Sequence, residues 1–533
     1  MTSKKIRAAV RVSILFITAF LFVQCGTSKI SSSISGVIQN VNPDEAKVIP
    51  LPVYDKPTGN TFTLTSTSKI YVEPATDEII NIGNYLKEKL SASTGYPLSV
   101  VTAIKDSSLE NILLTTENAD SSLGDEGYKL IISKDLITLQ AYKPAGLFRG
   151  IQTLRQLFPV SIESASKMPG PWEIATRIII DHPRYKWRGA MLDVARHFFS
   201  VSDVEKYIDL LAYYKINIFH IHLSDDQGWR IMINSWPNLA KYGGSTSIDG
   251  DAGGYYTQKD FSDIVAYAKA RYMTVVPEID MPSHTNAALA SYAELNCDGK
   301  ARSLYTGDDV GFCSLCVDSP ETYNFLDDVI KELAAITPGP YIHVGGDEAK
   351  TLPIPKYDYF VEKVEKIVHK YGKQMIGWEE ISNADLTPGT ISQFWVNDSL
   401  ALKAVKDGIK LIMSPAPKIY LDMKYDASTK LGQDWAGYIN VKTSYDWDPA
   451  ELVKGITDKN IIGVEAPVWT ETLKTLSDVE YMAFPRIVCS AEIGWTPAAK
   501  KNWNDFEYRL LVQQERWDVM KINYYKIPDK RLN

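Results

Sequence analysis

Three observations point to an α/β chain whose main part is a (β/α)8, or TIM, barrel preceded by a small α+β domain. Between residues 180 and 498, eight strand-like apolar runs alternate with segments of helical periodicity. No GxGxxG follows any of these runs, so the phosphate-binding fingerprint of a doubly wound sheet is missing. The residues where the runs end are mostly carboxylates and tryptophans, and a parallel barrel gathers all its strand ends on one face.

The chain has 533 residues, 45% of them hydrophobic and 23% charged, as expected for a globular protein of more than one domain. A net charge of −8 argues against a nucleic-acid partner, because phosphate binding requires a basic face. Residues 1–25 read as an export signal: Lys4, Lys5, Arg7 and Arg11 precede the apolar run Val12–Val23. That run is shorter than the roughly 20 residues of a spanning helix. "LFVQCG" resembles a bacterial lipobox, in which Cys25 would carry the lipid, although Gln24 stands where a small residue is usual. The expected location is therefore that of an exported lipoprotein, periplasmic or at the cell surface, with plain secretion as the alternative. A membrane contact is expected only through that lipid.

Residues 26–48, rich in Ser, Asn and Gly, read as a tether. In 49–179, "TFTLTS" and "YKLIIS" read as strands and "DEIINIGNYLKEKLSAS" and "GLFRGIQTLRQLF" as helices, which gives the α+β domain. The barrel, 180–498, opens with "RGAMLDVA" and a helix in which Val204, Tyr207, Ile208 and Leu211 fall on one face. Then come "INIFHIHLS", "MTVVPEID", "YIHVGG", "QMIGW", "TISQFW", "KLIMSP" and "IIGVEAPVW". Helices are expected at 259–271, 320–336, 355–371 and 477–491, and a helical extension at 499–533 packed on the barrel.

The strand ends carry the chemistry. They read "DVARHFF", "HLSDDQGW", "EIDMPSH", "GGDEA", "GWEE", "QFWVND", "PKIYLD" and "VWTE". A GxSxG nucleophile elbow is absent. Indole faces stack on the C–H face of a pyranose, and carboxylates with an arginine bind its hydroxyls. Trp378, Trp395 and Trp469 all fall at strand ends, so a sugar pocket is expected there. Two other readings compete. His220 and His222 alternate on one strand and, with Asp225, His284 and His343, suggest a barrel metallohydrolase. No further lysine or histidine set follows, so no metal is expected. A glycan-binding protein without activity would have lost its acids, yet Asp347 and Glu348 are present. Of the five cysteines, Cys313 and Cys316 form a single CxxC; without a second pair, zinc is disfavoured. Export favours a disulfide, with Cys297 the partner of one of the two.

The series "RGAMLDVARHFF", "HLSDDQGWR", "PEIDMPSH", "HVGGDEA", "GWEE" and "VWTE" resembles glycoside hydrolase family 20, exo-acting β-N-acetylhexosaminidases that release terminal GlcNAc or GalNAc from glycans. The family's companion α+β domain also fits the segment before the barrel. Most glycosidases flank the scissile bond with two carboxylates about 5 to 9 Å apart, which neighbours in sequence cannot do, and this family instead uses the substrate's own acetamido group. The resemblance implies Glu348 as general acid and later base, and Asp347 as the residue that orients the acetamido group. Burdened by an ionised Asp347, Glu348 is expected to keep its proton near neutral pH. The resemblance further implies that Arg196 grips the outer hydroxyls and that Asp225 and His284 support the acid. Trp378, Trp395 and Trp469 would wall the acetamido pocket, Tyr420 would donate to the acetamido oxygen, and Asp422 and Glu471 would bind hydroxyls. It pairs Cys297 with Cys316, leaves Cys313 over, and requires no cofactor. Arg188, inside its strand, is read as structural.

Overall fold

The computed structural model describes residues 46–102 and 110–527; the signal, Cys25 and most of the tether lie outside them. The first part is a seven-stranded mixed sheet in the spatial order 54–63, 173–181, 128–132, 136–141, 111–115, 69–73, 99–101. Helices Asp77–Thr94 and Pro144–Leu157 bury Ile79, Leu86, Leu90, Leu147, Ile151 and Leu154 together with the strand residues Ile112, Leu114, Leu130 and Leu139. Both periodicities read from the sequence are thereby used, period 3.6 on the helices and period 2 on the strands.

The second part is a closed parallel barrel. Its strands, in chain order, are β1 Trp187–Asp193, β2 Ile218–His222, β3 Thr274–Glu278, β4 Tyr341–His343, β5 Gln374–Trp378, β6 Ile391–Phe394, β7 Lys410–Met413 and β8 Ile461–Val468. β8 pairs with β1 from Gly463–Trp187 to Val468–Leu192 and closes the cylinder. All eight sit on the runs read from the sequence. At the bottom of the interior, Trp187, Ile218, Val276, Ile376, Ile391 and Ile412 form an apolar layer. One layer up the interior is polar: Glu465 Oε1 meets His220 Nδ1 at 2.8 Å and Gln393 Nε2 at 3.0 Å, and Glu278 Oε1 meets His343 Nδ1 and Trp378 Nε1, each at 3.0 Å. These groups are buried and must satisfy one another.

The helix expected at 477–491 is two helices, Leu476–Ala483 and Arg486–Trp495. Pro485 has no N–H to donate and forces Phe484 into extended backbone, with φ −93° and ψ 128°. Beyond the barrel, helix Trp503–Met520 ties the two parts together. Its Arg509 pairs with Glu492 at 2.6 Å and bonds Val48 O at 3.0 Å, and its Gln513 bonds Gln156 at 3.0 Å. Arg188 extends from β1 to Glu126 of the first part at 2.6 Å, a structural contact. Among the described residues, no helix is long and apolar enough to cross a membrane.

Candidate active site

The C-terminal ends of the strands surround a cavity of about 240 Å³. Arg196, His284, Asp347, Glu348, Trp378, Trp395, Tyr420, Asp422, Trp469 and Glu471 all line it. The structure thus brings together every residue expected to touch a sugar, from seven different strand ends and their loops. Asp225 lies one layer behind. Its Oδ2 is 2.9 Å from Arg196 Nη2 and 2.8 Å from His222 Nε2, and its Oδ1 is 3.1 Å from His284 Nδ1. Burial pushes Asp225 up, but Arg196, His284 and His222 outweigh it and hold the carboxyl far below its ordinary value.

The turn after β4 explains the glycines of "HVGGDEA". Gly345 and Gly346 have φ of +63° and +102°, conformations that side chains disfavour. A Cβ on Gly345 would also lie 1.8 Å from Asp280 Oδ1, while Gly346 N donates to that same oxygen at 3.1 Å. The turn is thus pressed onto the end of β3, where His284 waits. His284 Nε2 is 3.6 Å from both Asp347 Oδ2 and Glu348 Oε2, so one imidazole faces the two neighbouring acids. Burial disfavours its charge, but Asp225, Asp347 and Asp280 outweigh burial and raise it well above the ordinary histidine value.

The protonation of the acid pair departs from expectation. Burial raises Asp347, with the negative charges of Glu278 and Glu348 adding to it against His284. Glu348 is also pushed up by burial, but hydrogen bonds from His284 and Lys350 bring it down to about 2. Glu348 is therefore held in its charged form, where an ionised Asp347 was expected to keep it protonated. Lys350 Nζ lies 2.8 Å from Glu348 Oε1, a partner not expected from the sequence.

The tryptophans are fixed from behind. Trp378 Nε1 donates to Glu278 Oε1 at 3.0 Å, and Trp395 Nε1 to Glu380 Oε2 at 3.1 Å. Glu379 of the same "GWEE" accepts from the backbone N of Trp395 at 2.5 Å, and burial pushes its carboxyl up to about 7. Trp378 and Trp469 lie 5.8 Å apart, and Arg196 covers Trp469 at 4.9 Å. At the far side, Asp422 and Glu471 are both raised by burial and by a neighbouring carboxylate. Asp347 Oδ1 and Glu471 Oε2 are buried acceptors with no donor among the described residues. Trp435, Gln433, Asp308 and Val310 also line the cavity and were not singled out in the sequence. Trp435 belongs to the long loop after β7, where no periodicity marks orientation; its indole stands 6.0 Å from Trp395 and 5.9 Å from Tyr420.

The histidines of β2 lie in the polar layer. His222 places Nδ1 2.6 Å from Glu278 and Nε2 2.8 Å from Asp225, and these carboxylates raise it well above its ordinary value against the effect of burial. Cys297 and Cys316 form a disulfide, which anchors the loop carrying Asp308 and Val310. Cys313 is a free buried thiol that donates to Asp226 Oδ1 at 3.2 Å.

A barrel whose strand ends hold paired acids under a cage of indoles defines a glycoside hydrolase. The sequence comparisons agree. The model "Glycosyl hydrolase family 20, catalytic domain" matches residues 185–357 and 353–498, and "Glycosyl hydrolase family 20, domain 2" matches 45–182. The chain belongs to glycosyl hydrolase family 20. It is 40% identical to a β-N-acetylhexosaminidase of Cellulomonas fimi over 91% of this chain and 97% of that protein. Among solved structures, the family 20 β-N-acetylhexosaminidase of Streptomyces coelicolor A3(2) superposes with a TM-score of 0.88 at 48% identity, covering 91% of this chain and 98% of that one. A mutant Streptomyces plicatus β-hexosaminidase in complex with its product, GlcNAc, does so with a TM-score of 0.88 at 49% identity, covering 91% and 97%.

Proposed function

We propose that this site removes a terminal, non-reducing β-linked N-acetylhexosamine from a glycan, with the substrate's acetamido oxygen as nucleophile. As substrate binds, Glu348 takes up a proton from solvent; in the first step the acetamido oxygen bonds to the anomeric carbon as the bond to the leaving oxygen breaks, and Glu348 gives that proton to the leaving oxygen. Asp347 accepts the acetamido N–H and offsets the positive charge that develops on the new ring. In the second step water attacks the anomeric carbon from the face the leaving group vacated. Glu348, now a carboxylate, takes the proton of that water, and the acetamido group is released with the original configuration retained.

The observation that carries this reading is the pair itself. Asp347 and Glu348 are adjacent, turned by left-handed backbone toward one imidazole, and both line the same small cavity. Two carboxylates so placed serve one side of a reaction and leave the opposite face of the sugar without a protein nucleophile. Asp347 also brings a buried oxygen with no donor among the described residues, which an amide N–H would complete. Trp378 and Trp469 enclose a flat group beside it, while Arg196, Asp422 and Glu471 offer charge to ring hydroxyls. The test is binding of a stable thiazoline analogue of the cyclic intermediate. Wild type should bind it far more tightly than the product sugar, and Asp347→Asn should lose most of that advantage. Equal affinity in both would remove Asp347 from this role.

The location of the protein is part of the same proposal. The basic and apolar pattern of residues 1–25 supports export with a lipid on Cys25, and the disulfide suits an oxidising compartment. Cys25→Ser should move the protein from the membrane to the soluble fraction with kcat unchanged. A variant still bound to membranes would make the apolar run itself the anchor.

A further inference from the structure

We propose that Lys350 is a positioning residue for the general acid, a displaceable counter-ion on the open side of Glu348 whose place the leaving group of the substrate takes. The proposal rests on the assignment of Glu348 above. The backbone builds the contact. Glu348 has φ +49°, and Lys350 N donates back to Glu348 O at 2.6 Å, so the turn folds the two side chains together. The lysine stem runs across Gly311, where a Cβ would lie 2.8 Å from Lys350 Cδ. The ammonium then meets Glu348 Oε1 at 2.8 Å, while Oε2 faces His284 at 3.6 Å.

These two cations differ in what they can do. His284 is buried and its other nitrogen is tied to Asp225 at 3.1 Å, so it stays. The Lys350 side chain is 59% exposed, against 24% for Glu348, and covers the solvent side of the acid on a flexible stem. A leaving oxygen must reach Glu348 from the open side of the cavity and compete there with the ammonium. Asp347 and His284 also face Glu348, Asp308 lines the same cavity, and Arg196, Asp422 and Glu471 line it with the sugar-binding set. Of these, Lys350 is the exposed cation and the one that can leave at small cost, since an exposed ion pair is weak. Once it leaves, burial pushes Glu348 toward the protonated form that the acid needs, against the pull of His284.

The test compares Lys350→Met and Lys350→Arg on two N-acetylglucosaminides, one with a sugar as leaving group and one with dinitrophenolate, which needs no proton. Lys350→Met should raise kcat/KM for the sugar-linked substrate by about two- to fivefold at neutral pH, the range of an exposed ion pair. It should move the alkaline limb of kcat/KM upward by about half a pH unit, with kcat moving much less, because kcat/KM reports the free enzyme and kcat the complex. The dinitrophenyl substrate should be indifferent, and Lys350→Arg should behave as wild type. A fall in kcat for Lys350→Met would show that the cation stays on the acid during turnover and would overturn the proposal, as would an unchanged kcat/KM for the sugar-linked substrate. Failure of the acid assignment looks different: Glu348→Gln would then slow both substrates equally.

Discussion

Among single residues, two neighbouring acids carry the reaction with different tasks. Glu348→Gln removes a proton donor and should lower kcat on sugar-linked substrates by about 10²–10⁴, the usual worth of general acid catalysis. The loss should shrink on dinitrophenyl substrates, and steady-state kinetics on both leaving groups checks it. Asp347→Asn removes a charge that acts as the ring closes, so its loss, about 10²–10³ in kcat, should persist with either leaving group. Asp225 makes a prediction about stability rather than rate. Its folded value is held far below the ordinary 3.8 by Arg196, His284 and His222 against burial. Such a group stabilises the fold fully above its unfolded value, and that contribution is lost as pH falls toward the folded value. Asp225→Asn should therefore flatten the decline of the urea midpoint below about pH 4, while lowering activity because Arg196 and His284 lose their anchor.

At the scale of elements, the turn after β4 is the most constrained piece of backbone in the site. Gly345→Ala puts a Cβ 1.8 Å from Asp280 Oδ1 at φ +63°. The turn must then move, and a displacement of about 1 Å at the reacting groups costs on the order of 10² in rate. An alanine variant that retains wild-type kcat would show that the turn is not what positions the acids. The loop closed by Cys297 and Cys316 spans 19 residues, and such a crosslink is worth about 3 kcal/mol. Cys297→Ala together with Cys316→Ala should lower the unfolding free energy by that amount in denaturant titration. This scale also shows what the sequence could tell. All eight strands were legible because each is an apolar run with its chemistry at the C-terminal end, and the motif series carried the site residues with it. Pro485 marked a helix break that helical periodicity across 477–491 overrode. Trp435 was hidden in a loop without period. Lys350 stood in plain view beside Glu348, but residues two apart face each other only when the backbone turns back, as the left-handed conformation of Glu348 makes it do. The polar layer around Glu278 is a matter of three-dimensional neighbours, and strand alternation gives only which side chains point inward.

At the scale of the whole molecule, a sheet domain, a barrel and a C-terminal helix share buried polar contacts. Arg509 is the knot, joining Glu492 of the last barrel helix to the backbone of Val48. Its removal strands a buried carboxylate, which costs about 3–5 kcal/mol. Arg509→Ala should lose that much stability in urea unfolding while the folded fraction keeps its kcat. Unchanged stability would mean that the helix is an appendage. What the assembled molecule provides is a rigid cavity that uses the substrate's acetamido group as its nucleophile, and this claim can be tested by comparing kcat/KM for a β-N-acetylglucosaminide and a β-glucoside with the same leaving group. An intramolecular nucleophile in near-attack geometry is worth effective molarities of about 10⁵–10⁸ M, so the glucoside should be slower by about 10⁴-fold or more. Efficient glucoside cleavage, accompanied by a sugar trapped as an ester on a protein carboxylate, would contradict the account.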